Sequence, residues 1–529
     1  MSDLASTLTD DQLQILKDAA LDYALSHGLV VRPPPAAKDE HNTTALAGGV
    51  INAPISLFPT PFPAKAFSDA VRIQPLYNQL VHDISQDDAF LKEIMERHVL
   101  SWDDEKNALA RILFPAAPYG FLLSSKYRTN PAFFSGSLIY SLSTVDDFVK
   151  RLYDLYLLVQ KEGLAQPASL GLHRSDYIIH LNQGQAFTEA KIKQVELNTI
   201  SVSFGSLSSL TGDLHRYLLA TTGYFTDNMD MSALPPSDSI ESIASGLASA
   251  HKLYGSKSAK VMMVTQPGER NAFDQRWIEY NLLQKHGVVL IRKTLAEIAD
   301  QGRLDPKTRA LYIGEQEISV AYYRSAYATT DYPTEKEWDG RLLAERSLAI
   351  KCPTVAYQLV GTKKVQQVLA APGQLERFVK DPEAAAQLRD SFTGLYPLDD
   401  SPEGIAAYEA ALVNSDELVM KPQREGGGNN IYGKDIQATL KSLTPEQRNA
   451  YILMDIIRPP ITKNILLRKG ELQRADVVSE LGVYGIYLHD GHGVIRNDRG
   501  GHLLRTKGVE SNEGGVAAGF AVIDSLLLI

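Results

Sequence analysis

Leu13, Leu16, Ala20 and Tyr23 recur at three- and four-residue intervals, which predicts an amphipathic helix over residues 10–27 with its apolar stripe turned to a core. Thr9 and Gln12 form a capping box before it, and Gly28 supplies a stop. Phe148, Leu152, Leu155 and Val159 repeat the spacing and predict a second helix over 146–162, ended by Gly163. Residues 260–265 (KVMMVT), 288–292 and 318–323 are short apolar runs of the kind found in strands buried on both faces. An apolar-faced helix over 271–285 separates the first two, so this order predicts a parallel sheet covered by helices. In the last 115 or so residues the pattern changes. Residues 417–423, 451–457, 477–488 and 494–507 are strand-like, and the Asp490-Gly491 turn joins the last two as an antiparallel hairpin. Two stretches have no sustained period: 31–54, with Pro33, Pro34 and Pro35, reads as a linker, and 101–144 is broken by Pro115, Pro118 and Pro131.

At 529 residues the chain exceeds what one core covers, so about two to four domains are expected, and 44% hydrophobic residues exclude disorder as the main state. The longest apolar runs, as at 525–529, fall far short of the ~20 residues of a bilayer helix, and 2–10 is polar where a secretory signal would be basic then apolar. A soluble, cytoplasmic chain with no membrane partner is expected. Cys352 is the sole cysteine, so neither an internal disulfide nor a cysteine metal cluster can form, and a buried small residue is its expected role. The net charge of −10 and the absence of a long basic run argue against a nucleic-acid partner. Any bound anion must meet cations gathered locally.

Three segments gather such groups. Lys421, Pro422, Gln423, Arg424, Glu425, Gly426, Gly427, Gly428, Asn429 and Asn430 follow a predicted strand. Consecutive glycines after cations let backbone N–H groups approach phosphate oxygens, the alternative being a ligand-free turn. A P-loop reading of Gly428 to Lys434 fails at Asp435, a carboxylate where a magnesium-binding hydroxyl is needed. In 194–203, Val195 and Leu197 point one way while Glu196 and Asn198 point the other. Two oxygen ligands at this spacing suit a hard cation such as Mg2+, and a solvent-facing strand edge explains the pattern equally well. Arg505 and Lys507 share a strand face and precede the glycine- and alanine-rich 513–519, which suits a lid over an anionic ligand. No Ser, Cys or His in these motifs stands beside a base as a nucleophile would.

The segments VELNTISVSFG, GERNAFDQR, KPQREGGGNN, SELGVYG and HLLRTKGVESNEGGVAAG, ordered along nearly the whole chain, closely resemble the eukaryotic-type glutathione synthetases, ligases of the ATP-grasp fold. That resemblance implies ATP-dependent ligation of γ-glutamylcysteine to glycine through an acyl phosphate, with two Mg2+ ions, in a homodimer. It implies Glu196, Asn198 and Glu425 as metal ligands, with Glu196 also at the nucleotide. Lys363 and Lys421 match the lysines on the ATP phosphates, and residues 422–430 match the loop around them. Met454, Asp455, Ile456, Ile457 and Glu480 match the adenine and ribose segments, with Tyr432, Lys507 and Glu513 beside the nucleotide. Arg174 (in HRSDY), Ile200, Ser201, Val202, Ser203, Glu269, Arg270, Asn271, Gln275, Arg324, Ser325, Ala326, Tyr327 and Arg505 match the peptide-substrate contacts, Arg174 and Arg505 being the catalytic pair. Val516 and Ala517 match the loop that closes on product.

The implied fold class is α/β (α+β): an ATP-grasp body over 1–255 and 362–529, with an N-terminal helical region, interrupted by a parallel α/β substrate domain over 256–361. This chain departs from the family at Ile456, where some members carry Lys, at Ser325-Ala326, where others carry Asp-Gly, and at Glu513, which replaces Asp. Residues 102–143 are absent from the family pattern, and joining Ser101 to Thr144 gives a family-like segment. A relative that joins another amine such as β-alanine is the enzymatic rival. A nucleotide-binding regulator without catalysis is the other, and the intact Glu196, Asn198, Glu425, Lys363, Lys421 and Arg505 count against it.

Overall fold

The computed structural model describes residues 7–33, 49–96, 147–223, 230–422, 430–511, 516 and 519–529. The 102–143 segment, Gln423 to Asn429, Glu513 and Ala517 lie outside them.

Helix α1 (Asp10–Ser26) opens with the reciprocal Thr9–Gln12 hydrogen bonds of a capping box and buries Leu13, Leu16 and Ala20, as the spacing predicts. It is followed by α2 (Ala64–Ser85) and α3 (Asp147–Glu162). Next come β1 (Ser169–His180), β2 (Lys191–Asn198), α4 (Gly205–Thr222), α5 (Ser239–Tyr254), β3 (Lys260–Val264), α6 (Ala272–His286), β4 (Leu290–Lys293), β5 (Gln316–Tyr323), β6 (Ile350–Cys352) and α7 (Lys363–Ala370). The C-terminal part supplies β7 (Leu418–Pro422), β8 (Tyr451–Asp455), β9 (Glu471–His489), β10 (Val494–Gly508) and β11 (Ala521–Asp524).

The predicted parallel sheet is present: β4, β3, β5 and β6 lie side by side, all parallel. Its strands are buried on both faces. Val261 and Met263 enter one core while Met262 and Val264 enter the other. The predicted hairpin of β9 and β10 is also present, closed where the Asp490 carboxylate accepts from the N–H groups of His492 and Gly493. Strand β1 is the seam: parallel to β6 at Ser169, it is antiparallel to β9 along ten residue pairs, so both halves form one thirteen-stranded sheet. Beyond Arg174 its other edge is taken by β2.

A four-stranded sheet, ordered Leu395–Tyr396, β8, β7, Ile431–Tyr432, has a small apolar core on each face. In the stretch expected as a linker, Val30–Val31 pairs with Ile51–Asn52. Among the described residues, no helix is long and apolar enough to cross a membrane. Cys352 is buried, as expected, and burial pushes its thiol far above the usual range.

Candidate active site

The charged groups singled out in the sequence converge where β1, β2, β9 and β10 lie beside one another. Asp176 sits opposite Glu196 across β1 and β2 and opposite Gly482 across β1 and β9, while Glu480 faces Arg505 across β9 and β10. Carboxylate oxygens of Asp176, Glu196 and Glu480 all lie within 4.8 Å of one another. Arg174 grips Asp176 with two donors, Nε to Oδ1 at 2.6 Å and Nη2 to Oδ2 at 2.8 Å. Arg505 Nη2 donates to Asp176 Oδ2 at 2.9 Å and also to Glu480 Oε1. Asn198 Nδ2 reaches Asp176 Oδ2 at 2.9 Å and Glu196 Oε1 at 3.3 Å, so Glu196 and Asn198 do share a face.

Among the described residues strand β2 pairs with β1 alone, and cations stand at its end, where Glu196 is only partly exposed. Lys363, the first residue of α7, donates to Glu196 Oε2 at 2.7 Å, and Lys421 of β7 reaches the Val195 carbonyl at 3.4 Å. Burial works to raise the Glu196 carboxyl, yet Lys363, Lys421 and Arg505 hold it well below the usual carboxylate range. Glu480 moves the other way. Burial raises it, Arg505 opposes, and Asp176 and Glu196 add to the rise.

Ser203 links this cluster to a second group: its carbonyl accepts from Arg174 Nη1 at 3.2 Å and from the Tyr484 hydroxyl at 2.7 Å. Ile200 and Val202 are buried, and Ser201 and Phe204 adopt the left-handed conformation (φ 54° and 67°), which turns the chain into α4. There the amides of Phe204 and Ser206 donate to the Asp274 carboxylate, which also pairs with Arg324 at 2.9 Å. Around Arg324, Glu269 accepts from the Asn271 N–H at 2.7 Å and from Gln275 Nε2 at 3.0 Å, and Arg292 donates to Gln275 Oε1. Arg324 Nε and Nη1 are buried without a hydrogen-bond partner among the described residues. The Ala326 carbonyl accepts from Gln358 Nε2 at 2.9 Å, and the Tyr327 N–H donates to Asp331. Arg270 stands apart, its Nε reaching the Arg32 carbonyl at 3.4 Å.

Across from β2, the small sheet carries the expected nucleotide residues. Met454 is buried with Leu395, Val419 and Ile452, against which Tyr432 and Ile457 pack. The Tyr396 hydroxyl donates to Asp455, the Ile456 N–H to the Glu417 carbonyl, and Asn430 Nδ2 to the Tyr432 hydroxyl. Lys507 sits on β10 opposite Val478, and Val516 is buried in the core beneath.

The chain matches the family model described as the ATP binding domain of eukaryotic glutathione synthase over residues 10–117 and 122–528. It belongs to the eukaryotic glutathione synthase family. Its family relatives include the glutathione synthetase of Xenopus laevis, 39% identical over 534 residues and covered fully on both sides. That of Homo sapiens is 40% identical over 517 residues, covering 97% of this chain and 96% of the relative. A chloroplastic one from Arabidopsis thaliana is 38% identical, covering 99% and 86%. Among solved structures, a glutathione synthetase-like effector of Globodera pallida, in apo form, has the same fold, with TM-score 0.71 at 22% identity over 99% of this chain and 98% of that one.

Within this family member, three side chains escaped the sequence reading. Asp176, Asp274 and Arg292 each bond a singled-out residue distant in the chain, Arg505, Arg324 and Gln275 in turn, and Asp176 also bonds Arg174 on its own strand. Only the acidic letter inside HRSDY, on the same strand face as Arg174, hinted at Asp176.

Proposed function

We propose that this chain is an ATP-dependent ligase that joins γ-glutamylcysteine to glycine, giving glutathione, ADP and phosphate. What carries the reading is full-length identity near 39% with relatives named glutathione synthetase, in a chain whose matching charged residues converge on β1, β2, β9 and β10. The ATP-grasp architecture, the division at 255/256 and 361/362, the homodimer and the cytoplasmic setting rest on the family resemblance. In this reading the nucleotide lies between the small sheet and the Glu196 end of β2, with Lys363 and Lys421 on its phosphates.

The cysteinyl carboxylate of γ-glutamylcysteine takes the γ-phosphoryl group of ATP, the glycine amine attacks the resulting acyl carbon, and inorganic phosphate leaves. Such a step is mainly positioning and charge neutralisation. Arg174 and Arg505 present planar guanidiniums to carboxylate oxygens, and Glu269, Asn271, Gln275 and Arg324 take the γ-glutamyl end. Oxygen donors of this kind suit Mg2+: Glu196 is held ionised, Asn198 stands beside it with its amide nitrogen toward Glu196 Oε1 and would present its oxygen once the amide is turned over, and Glu425, outside the described residues, is the third donor that the resemblance implies. When bound, Mg2+ would neutralise charge on the phosphates. The resemblance implies that Val516 and Ala517 belong to a segment that would keep water from the acyl phosphate.

Phosphate release should be seen with ATP, Mg2+, γ-glutamylcysteine and glycine together and not when one is left out. With heavy oxygen in the cysteinyl carboxylate, one labelled oxygen should appear in the released phosphate. Unlabelled phosphate, with the label retained in starting peptide, rules out the acyl phosphate. Equal turnover with β-alanine in place of glycine would widen the acceptor assignment.

A further inference from the structure

We propose that Asp176 is a positioning residue that holds Arg174 and Arg505 at the spacing required to take the carboxylate of the peptide substrate; the proposal rests on the ligase reading above. Asp176 is fully buried, and its two oxygens accept four hydrogen bonds: two from Arg174, one from Arg505 and one from Asn198. Oδ2 takes three of them and Oδ1 one, so the oxygen nearest to the rest of the cluster is already filled by cation and amide donors, although Glu196 and Glu480 are close by. Its bonds all run to cation or amide donors. It is therefore the counter-ion of an arginine pair, not a third member of an acidic metal cage.

Two like charges in a buried site repel, and Arg174 does press against the charged form of Arg505. The shared carboxylate offsets that repulsion and fixes both guanidinium planes. Arg505 Nε remains buried without a hydrogen-bond partner among the described residues, a donor left over for a ligand. Gly482, directly across from Asp176 on β9, has the complementary part: a Cβ there would lie 2.8 Å from both Arg174 Cδ and Asp176 Oδ1. No real Cβ sits so close, so any side chain at 482 would displace the pair.

The test uses full-length Asp176→Asn and, separately, Gly482→Ala. For each, turnover is measured as γ-glutamylcysteine, ATP and Mg2+ are varied in turn, with calorimetric binding of ATP and of γ-glutamylcysteine and the thermal midpoint alongside. In both variants kcat/KM for γ-glutamylcysteine should fall ~10²-fold, as when a preorganised charge contact is lost. ATP affinity and the Mg2+ needed for half-maximal rate should stay within about threefold of wild type. A folded variant with a lowered thermal midpoint but unchanged γ-glutamylcysteine parameters would show a merely structural role and overturn the proposal. A raised Mg2+ requirement with peptide affinity intact would overturn it in favour of metal ligation. Should Asp176→Asn fail to fold, Gly482→Ala decides alone. Wild-type protein that binds γ-glutamylcysteine without releasing phosphate would sink the ligase reading instead, and the binding arm would still judge Asp176.

Discussion

Ala326 carries a backbone conformation that glycine normally fills. Its φ is 74°, and its carbonyl is held by Gln358 Nε2. An L-residue with a Cβ pays ~1 kcal/mol or more in this region, part of which Ala regains through a less mobile unfolded chain. Ala326 is also fully buried in the core, so Ala326→Gly trades relief of that strain for a lost methyl contact of ~0.8 kcal/mol; stability should change by less than about 1 kcal/mol and the affinity for γ-glutamylcysteine should not change, because the contact made is a backbone one. A large shift of the thermal midpoint in either direction would contradict this. His173 offers a second test, in pH. Burial, with a smaller push from His82, lowers its imidazole to about 3, and neither ring nitrogen has a hydrogen-bond partner among the described residues. An unfolded histidine titrates near ~6.5, so as pH falls from there toward the folded value only the unfolded state binds the proton, and stability falls. His82 and His502, each lowered to about 4 chiefly by burial, act with the same sign. His173→Leu should accordingly lose less of its thermal midpoint between pH 7 and pH 5 than wild type does. A parallel fall in both proteins would clear His173 of any part in acid lability.

Single elements were legible where their own letters decided them. The buried runs of β3 and β5, the capping box of α1 and the turn between β9 and β10 all depend on local spacing, and all appear within a few residues of expectation. Elements whose form depends on a distant partner were not. Helix α2 contains Pro75, which by itself argues for a break, and packing of Ile73, Tyr77, Leu80 and Val81 overrides it. Strand β9 begins six residues before the expected 477 because its polar start, Glu471 to Asp476, is held by pairing with Thr462–Arg468. In β2 the register shifts, so that Glu196 faces Asp176 while Gln194 faces Tyr177, and no letter marks this bulge. The start of α4 is of the same kind. Phe204, Ser206 and Leu207 give their amides to Asp274, a residue some seventy positions later, and Arg324 shares that carboxylate. Asp274→Asn sets an amide N–H2 against those donors and strands a buried guanidinium. It should destabilise by about 3 kcal/mol in denaturant unfolding and weaken γ-glutamylcysteine binding, because the Ser203–Phe204 turn loosens with it. An unshifted unfolding midpoint would mean that the helix start does not depend on Asp274.

At the scale of the whole molecule, the pairing of β1 with β9, some three hundred residues apart, joins the parallel and antiparallel strands in one sheet and brings the candidate site together at their seam. Local periodicity carries no information about such pairing. The candidate site residues were recognisable through family motifs, and their convergence only through the fold. The same argument bears on residues 102–143, which lie between two elements that already meet without them. On the N-terminal side, Ile94 and Met95 share a core with Val149, Leu152 and Tyr153 of α3. The Tyr156 hydroxyl donates to Asp88, and the Tyr153 hydroxyl reaches Glu96 at 3.4 Å. Joining Ser101 to Thr144 leaves eight residues between Glu96 and Asp147. At ~3.3 Å per residue these can reach well over 20 Å, ample for ends whose neighbours are in contact, and a shorter closed loop costs slightly less entropy. None of the site residues falls inside the deleted stretch. The deletion variant should therefore be soluble, unfold within a few degrees of wild type, and release phosphate from ATP with γ-glutamylcysteine and glycine at a rate within about threefold of the full chain. An insoluble product, or a folded one with turnover lost, would show that 102–143 supplies part of the core or of the site.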